Sequence, residues 1–288
     1  MSRTWMSAPW AALALSMLLA AGGCEITIGP VFPEAQKDFA LTVPAADVGS
    51  LVIDWRRGSI TVTVDPDATD ISADGTAKVR AESQARAEQG LADLQITLVV
   101  AESFPAQAFL AFRIPAGGML SYEADVEVVL PPRIALTVGN ADGAVRLTGG
   151  DTLTIINVYR GNLTLTGQTG DAVVSVTDGD IAIDSAGASV DAEVVDSGNL
   201  QIDAEPPAGG YVLARVGRAG DIFLRLPADF AADLDLSSGA ASLVVDLADF
   251  TITNLRIRRD RVQATLNGGG GEVTAGTELG TITFAALP

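Results

Sequence analysis

A glycine followed by alternating apolar residues recurs along most of this chain, and it constrains both the type of secondary structure and its repetition. The unit appears as Gly58-Ser-Ile60-Thr-Val62, Gly143-Ala-Val145-Arg-Leu147, Gly161-Asn-Leu163-Thr-Leu165 and Gly179-Asp-Ile181-Ala-Ile183. It continues as Gly198-Asn-Leu200-Gln-Ile202 and Gly220-Asp-Ile222-Phe-Leu224. A looser copy runs from Gly239 to Leu243 and Val245, and Gly280-Thr-Ile282-Thr-Phe284 closes the sequence. From Gly143 to Gly239 the glycines are spaced by 18, 18, 19, 22 and 19 residues. Between them lies a second alternating stretch: Leu153 and Ile155, then Ala172, Val174 and Val176, then Val190, Ala192 and Val194. Val212, Ala214 and Val216 follow, and then Ala232, Leu234 and Leu236.

Alternation with period two marks a strand with one buried face. Two such strands in a unit of nearly fixed length mark a repeat that cannot bury its apolar face alone. Stacked about 4.8 Å apart, the units would share one aliphatic interior. The expectation is an all-β chain: a parallel β-solenoid of 18–19-residue coils over residues 138–288. The glycines are expected at sharp turns, where positive φ costs them nothing. The small polar residues beside them, Ser59, Asn162, Asp180, Asn199 and Asp221, suit hydrogen bonds to turn backbone and to the copy stacked above. Outward positions in the first strands, Thr61, Arg146, Thr164, Ala182, Gln201 and Phe223, share no chemistry, which argues against a repetitive sugar, ice or metal lattice.

Residues 39–137 are less regular and read as a β-rich cap or first coils. Strands are expected at 39–43, 51–54, 60–64, 96–100, 109–114 and 126–130, with one short helix over 82–94. Such a cap would cover the open edge and apolar face of the first coil. Towards the other end, Arg256, Arg258, Arg259 and Arg261 form a basic cluster, read as a solvated face, with binding of anionic lipid headgroups or polysaccharide as the alternative. Gly268 to Gly271 reads as loop, since no lysine or helix start follows to make it a phosphate cradle. Tyr159, Tyr211 and Phe223 are either edge aromatics or parts of a contact patch.

The start of the chain carries an address. Arg3 precedes a run from Ala11 to Ala21 that is apolar or small apart from Ser16, and Gly22 and Gly23 then lead to the single cysteine, Cys24. That run is too short to span a bilayer and suits a signal-peptide core. Small residues immediately before a cysteine resemble the lipobox of bacterial lipoproteins. The resemblance implies a leader over 1–23, lipidation at Cys24 and a tether over 24–38. Several acyl chains on one residue anchor stably where one does so only marginally. The alternative is an ordinary secretory signal with Cys24 a passenger thiol.

Composition then narrows the function. With 36 acidic against 18 basic residues, and only Lys37 and Lys78 among the latter as lysines, a net charge of −18 argues against a nucleic-acid partner. The sequence contains no histidine, which excludes histidine-based catalysis and histidine metal sites. One cysteine excludes an internal disulfide. No metal or other cofactor is expected.

The glycine units, the strand Val128-Val129-Leu130-Pro131 ahead of them, and Arg225-Leu226-Pro227 in a late copy together resemble the bacterial putative-adhesin family of unknown function, over about residues 39–288. That resemblance implies β-strand repeats behind a signal peptide or membrane anchor, and carries no catalytic residues across. The expected function is a non-enzymatic lipoprotein of the bacterial cell envelope, lipid-anchored at the outer membrane or periplasmic face, presenting a β-solenoid surface to a protein or polysaccharide as adhesin or scaffold. Two alternatives stay open. One is a polysaccharide-acting β-helix enzyme, with Asp178, Asp180, Asp196 and Asp221 as its candidate acids. The other is an accessory of an envelope sensing system.

Overall fold

Strand alternation along the chain becomes two large sheets whose inward residues meet in a common interior. The computed structural model describes residues 32–101, 106–115 and 120–288, the Ala186 side chain apart. The leader at 1–23, Cys24 and the first part of the expected tether therefore lie outside the described residues. The N-terminal third holds β1 (Glu34–Pro44), β2 (Val48–Trp55), β3 (Ile60–Val64), β4 (Asp70–Arg80), helix α1 (Gln84–Asp93), β5 (Gln95–Ala101), β6 (Ala106–Arg113) and β7 (Ser121–Leu130). The repeats supply β8 (Ala135–Asp142), β9 (Val145–Thr148), β10 (Thr154–Arg160), β11 (Leu163–Gln168), β12 (Ala172–Asp178) and β13 (Ile181–Ala186). They continue as β14 (Val190–Ser197), β15 (Leu200–Glu205), β16 (Tyr211–Ala219), β17 (Ile222–Leu226), β18 (Ala232–Ser238) and β19 (Ser242–Val245). The C-terminal section holds β20 (Ile252–Ile257), β21 (Arg261–Leu266), β22 (Gly271–Leu279) and β23 (Thr281–Ala286).

Among the described residues, the eleven-stranded sheet has the order β1-β4-β7-β3-β9-β11-β13-β15-β17-β23-β19. The twelve-stranded sheet has the order β20-β21-β18-β22-β16-β14-β12-β10-β8-β2-β6-β5. Matching the two orders gives nine two-stranded rungs, from β6/β7 and β2/β3 through β16/β17 to β22/β23 and β18/β19. Neighbouring rungs pair parallel in both sheets.

The register stacks like on like. Ile60 pairs with Val145, Val145 with Leu163, Leu163 with Ile181, Ile181 with Leu200, Leu200 with Ile222, and Ile222 with Ile282. All are buried in one continuous core fed by both sheets. Burying each aliphatic side chain there contributes about 1.5–3 kcal/mol.

Three expectations need correcting. First, the sheets are mixed, not wholly parallel. Strands β4 and β1 continue the eleven-stranded sheet beyond β7 antiparallel, and β5 pairs antiparallel with β6. At the other end β21 and β20 do the same beyond β18. Antiparallel strands at a stack's ends can arrive through short hairpins, where another parallel strand would require a full crossover.

Second, the last two glycine units exchange places: the unit led by Gly280 lies between those led by Gly220 and Gly239. After β21, Asn267, Gly268, Gly269 and Gly270 all take positive φ, a turn chemistry that sends the chain back to lay β22 between β16 and β18. Third, the inward residues of β10 are Thr154, Ile156 and Val158, one position off the expected Leu153 and Ile155, and Leu153 is 46% exposed. Pairing of Thr154 with both Leu136 and Ala172 fixes this register. The inward threonine is tolerated because its hydroxyl accepts from Gln168 Nε2 at 3.1 Å.

Both ends are closed. Trp55 packs between Phe39 and Phe112, ring centroids 6.5 and 5.1 Å away, with β1, β4 and α1 alongside. Ser83 caps α1 by accepting from the Arg86 N–H, and Arg86 reaches Glu82 one turn earlier at 2.8 Å. At the C-terminal end Phe250 lies 5.6 Å from Phe284, and Leu247 packs on the same core. Strand β1 starts at Glu34, inside the segment expected to be tether, and β4 was not anticipated at all. The apolar positions of β4 are diluted by Ala73, Gly75 and Ala77.

Candidate functional site

From β2/β3 onwards, the sharp turn of each rung joins the twelve-stranded sheet to the eleven-stranded one, and this is where the glycines lie. Gly58, Gly143, Gly161, Gly179, Gly198 and Gly220 have φ between +118° and +153°. Gly239 and Gly280 do not take positive φ. Close stacking is the stricter demand. A Cβ on Gly143, Gly161, Gly179, Gly198, Gly220 or Gly280 would fall 1.8–2.2 Å from the carbonyl oxygen of the glycine in the neighbouring rung. On Gly58 it would meet the Ala124 carbonyl at 1.9 Å, and on Gly239 the Glu278 carbonyl at 2.6 Å.

The residues after these glycines form a second column. Asn162 Oδ1 accepts from the Asp180 backbone N–H at 3.0 Å, and Asp180 Oδ1 from that of Asn199 at 2.8 Å. Asn199 Oδ1 accepts from Asp221 at 3.1 Å, and Asp221 Oδ1 from Thr281 at 2.7 Å. Ser59 donates both its N–H and its hydroxyl to Asp125 in the same manner. Amide and carboxylate side chains alternate up the column, so no two of its carboxylates are stacked on adjacent rungs. Asn199→Asp would stack three carboxylates and remove a donor to Asp180. It is expected to destabilise the fold by about 1 kcal/mol at neutral pH, seen as a fall of about 2–4 °C in thermal midpoint.

These columns account for the four acids suggested by the sequence. Asp180 and Asp221 are in the ladder, Asp178 accepts from the Ser197 hydroxyl at 3.1 Å, and Asp196 pairs with Arg218 at 2.8 Å. They are spread along one edge of the stack and converge on no recess. The aromatics also separate. Tyr159 and Tyr211 lie on β10 and β16, and Phe223 is on β17 in the other sheet. The arginine cluster divides too: Arg261 is a bidentate partner of Asp235 on β18, while Arg256, Arg258 and Arg259 are exposed.

The clearest recess on the repeats is an open groove of about 710 Å³ on the outer face of the twelve-stranded sheet, at its C-terminal end. Register builds it. Tyr211, Glu272, Asp233 and Thr265 lie in one row across β16, β22, β18 and β21. Thr274, Asp235, Gln263 and Arg256 lie in the next, ending on β20. A register shift between Thr253 and Arg256, with Asn254 at φ 55°, bends β20.

At the groove's Asp235, Gln263 Nε2 donates to Oδ2 at 3.1 Å from within the lining, and Arg261 Nε donates to Oδ1 at 2.7 Å from outside it. The Thr265 hydroxyl donates to Asp233 at 2.9 Å. The hydrogen bond from Arg261 outweighs partial burial and, with Gln263, holds the Asp235 carboxyl below its ordinary range. Asp125, near the other end, is also lowered: burial pushes it up, but the Ser59 hydroxyl and N–H and the Lys78 ammonium prevail. Folding favours both groups ionised, so the stability they add is present above the ordinary carboxylate range and lost as pH falls through their lowered values. Burial, and then the carboxylates of Asp171 and Asp191, push the Tyr211 phenol up and keep it a hydroxyl.

Carboxylates, amides, hydroxyls and one guanidinium on a rigid sheet can bind a polyhydroxylated ligand through many hydrogen bonds. The sequence carried a trace of this in Asp233 and Asp235, alternating with Ala232, Leu234 and Leu236. It gave no sign that β21 and β20 would be laid beside them. Among the described residues, no group of three or more His, Cys, Asp or Glu side chains is placed to hold a metal ion. No helix there is long and apolar enough to cross a membrane.

No family model and no curated protein matches this chain. Solved structures do. A putative cell adhesion protein from Clostridium sporogenes is 9% identical, with 88% of this chain and 100% of that one covered and a TM-score of 0.33. A putative adhesin from Bacteroides fragilis is 11% identical over 86% and 97% of the two chains, with a TM-score of 0.37. A putative adhesin from Parabacteroides distasonis is 12% identical over 87% and 97%, with a TM-score of 0.30.

Proposed function

We propose that this protein is a non-enzymatic lipoprotein of the bacterial cell envelope, held by acyl chains on Cys24 and displaying a β-solenoid as a rigid binding surface of adhesin or scaffold type. The observation that carries this reading is the turn column. Of the candidate acids, Asp180 and Asp221 accept backbone N–H groups from the next rung in a column shared with Asn162 and Asn199, while Asp178 accepts from the Ser197 hydroxyl and Asp196 pairs with Arg218. What the stack offers a partner is its outer sheet face, where the C-terminal groove supplies hydrogen-bonding groups in fixed rows. The displaced acidities of Asp125 and Asp235 fit binding better than general-acid catalysis, because both are displaced downwards.

The anchor and the display role are tested separately. Metabolic labelling with an alkyne fatty acid is expected to mark the wild-type chain and to leave Cys24→Ser unlabelled and released from the membrane fraction. An unlabelled wild type would remove the anchor from the proposal. Screening the full chain against a glycan array and envelope extracts should give retention without turnover. Turnover of any arrayed glycan that is lost in Asp235→Asn would replace the binding role with an enzymatic one.

A further inference from the structure

At the opposite end of the stack from the groove, arginines gather around a single acid. Arg57 Nη2 and Arg160 Nη2 each lie 3.2 Å from Asp142 Oδ2. Both come from rungs next to that of Asp142, so the register of β2, β8 and β10 places them there. Arg56 precedes Arg57, and these residues line a recess of about 500 Å³ together with Tyr122 and Tyr159. The guanidinium of Arg160 stands 5.9 Å from the centroid of the Tyr159 ring, which is itself 57% exposed. Three guanidiniums and one carboxylate line the recess, on a chain whose net charge is −18; Asp178 stands in register with Arg160 on the far side, and Glu123 and Asp125 line the neighbouring recess with Arg57.

The donor count shows what is unused. Each guanidinium carries five N–H donors, and Arg57 and Arg160 spend few of theirs on one oxygen of Asp142. Among the described residues Arg56 has no ion-pair partner, and Asp142 Oδ1 receives no side-chain hydrogen bond. The recess therefore holds forked donors shaped for a second carboxylate, an acceptor suited to a hydroxyl, and an aromatic edge. We propose that this recess is a binding site for an acidic sugar of a polysaccharide, its carboxylate received by Arg56, Arg57 and Arg160 and a hydroxyl donated to Asp142. A carboxylate on a hydroxylated ring uses the arginines, Asp142 and Tyr159 together; a bare anion would use the arginines alone.

The test is calorimetric titration of the detergent-solubilised full chain with trigalacturonate, with its methyl ester, and with inorganic phosphate as a bare anion. Wild type should bind trigalacturonate and bind the ester at least about tenfold more weakly. Raising salt from about 50 mM to about 500 mM should weaken binding further. Arg56→Gln, which removes no described ion pair, should cost about tenfold. Phosphate should bind more weakly than trigalacturonate. No binding of trigalacturonate, equal binding of the ester, or an unaltered affinity in Arg56→Gln would overturn the proposal. Phosphate binding as tightly as the sugar would reduce the site to one for anions in general and overturn the assignment to sugar. These results bear on neither Cys24 nor the C-terminal groove, so failure here leaves the display reading standing.

Discussion

Gly198→Ala is expected to yield no folded protein. The new methyl group would sit 2.0 Å from the Gly179 carbonyl oxygen, at a φ of +146° that side chains avoid. The obstacle is backbone of a neighbouring rung and no flexible side chain can move aside, so relief requires parting two strands of both sheets. The cost should exceed about 4 kcal/mol, within the exceptional range for single substitutions. Gly187→Ala separates the two contributions. Its φ is +82°, yet nothing lies within 4 Å of the added methyl. Only conformational strain remains there, about 1–3 kcal/mol, and the variant should fold with a lowered midpoint in chemical denaturation. Comparable folding of the two variants would show that the glycine column is not closely stacked.

Trp55→Ala should be the most damaging change in the core. The ring is 1% exposed, it wedges between Phe39 and Phe112, and its Nε1–H donates to the Ala124 carbonyl at 2.7 Å. Truncation leaves a cavity and an unpaired buried carbonyl, at about 3–5 kcal/mol. For a chain of this size that is a fall of about 10 °C in thermal midpoint. Trp55→Phe should recover part of the loss, because much of the volume returns while the hydrogen bond does not. A Trp55→Ala midpoint within 2 °C or so of wild type would place the residue at a mobile margin.

Much of the fold could be read from local pattern, because a strand with one buried face writes its orientation into alternate residues. Val174, Ala192 and Val216 point inwards as the alternation requires, and β3 covers Ile60 to Val64 as expected. The pattern misleads where packing tolerates a polar or small side chain. Thr154 is inward because Gln168 satisfies its hydroxyl, and β4 hides behind alanines and a glycine. Sequence order also says little about stacking order. The Gly239 and Gly280 units both end in an apolar pair two residues apart, Leu243 with Val245 and Ile282 with Phe284, and neither pair specifies which lies nearer to Gly220.

Both recesses were beyond reach for the same reason. The groove gathers Asp233 and Asp235 with Gln263 and Arg256, and the arginine recess gathers Arg57 with Asp142 and Arg160. In each case residues distant in the chain become neighbours only once strand register is fixed. Turn chemistry was far easier to see, because each glycine and the polar residue after it are adjacent in sequence and repeat at every rung.

The exchanged order of the last two glycine units bears on how the molecule is made. A stack that grows from its N-terminal rungs in chain order has no seat for the section ending near Val245. The strands that must lie beneath it, Gly271–Leu279 and Thr281–Ala286, come after it in the chain. Rung-by-rung growth in chain order would therefore stop after Leu226 and resume once Gly271–Ala286 is inserted as a keystone. A chain cut between Val245 and Gly271 would be left with a vacant slot and raw strand edges, the kind of surface that invites aggregation and proteolysis.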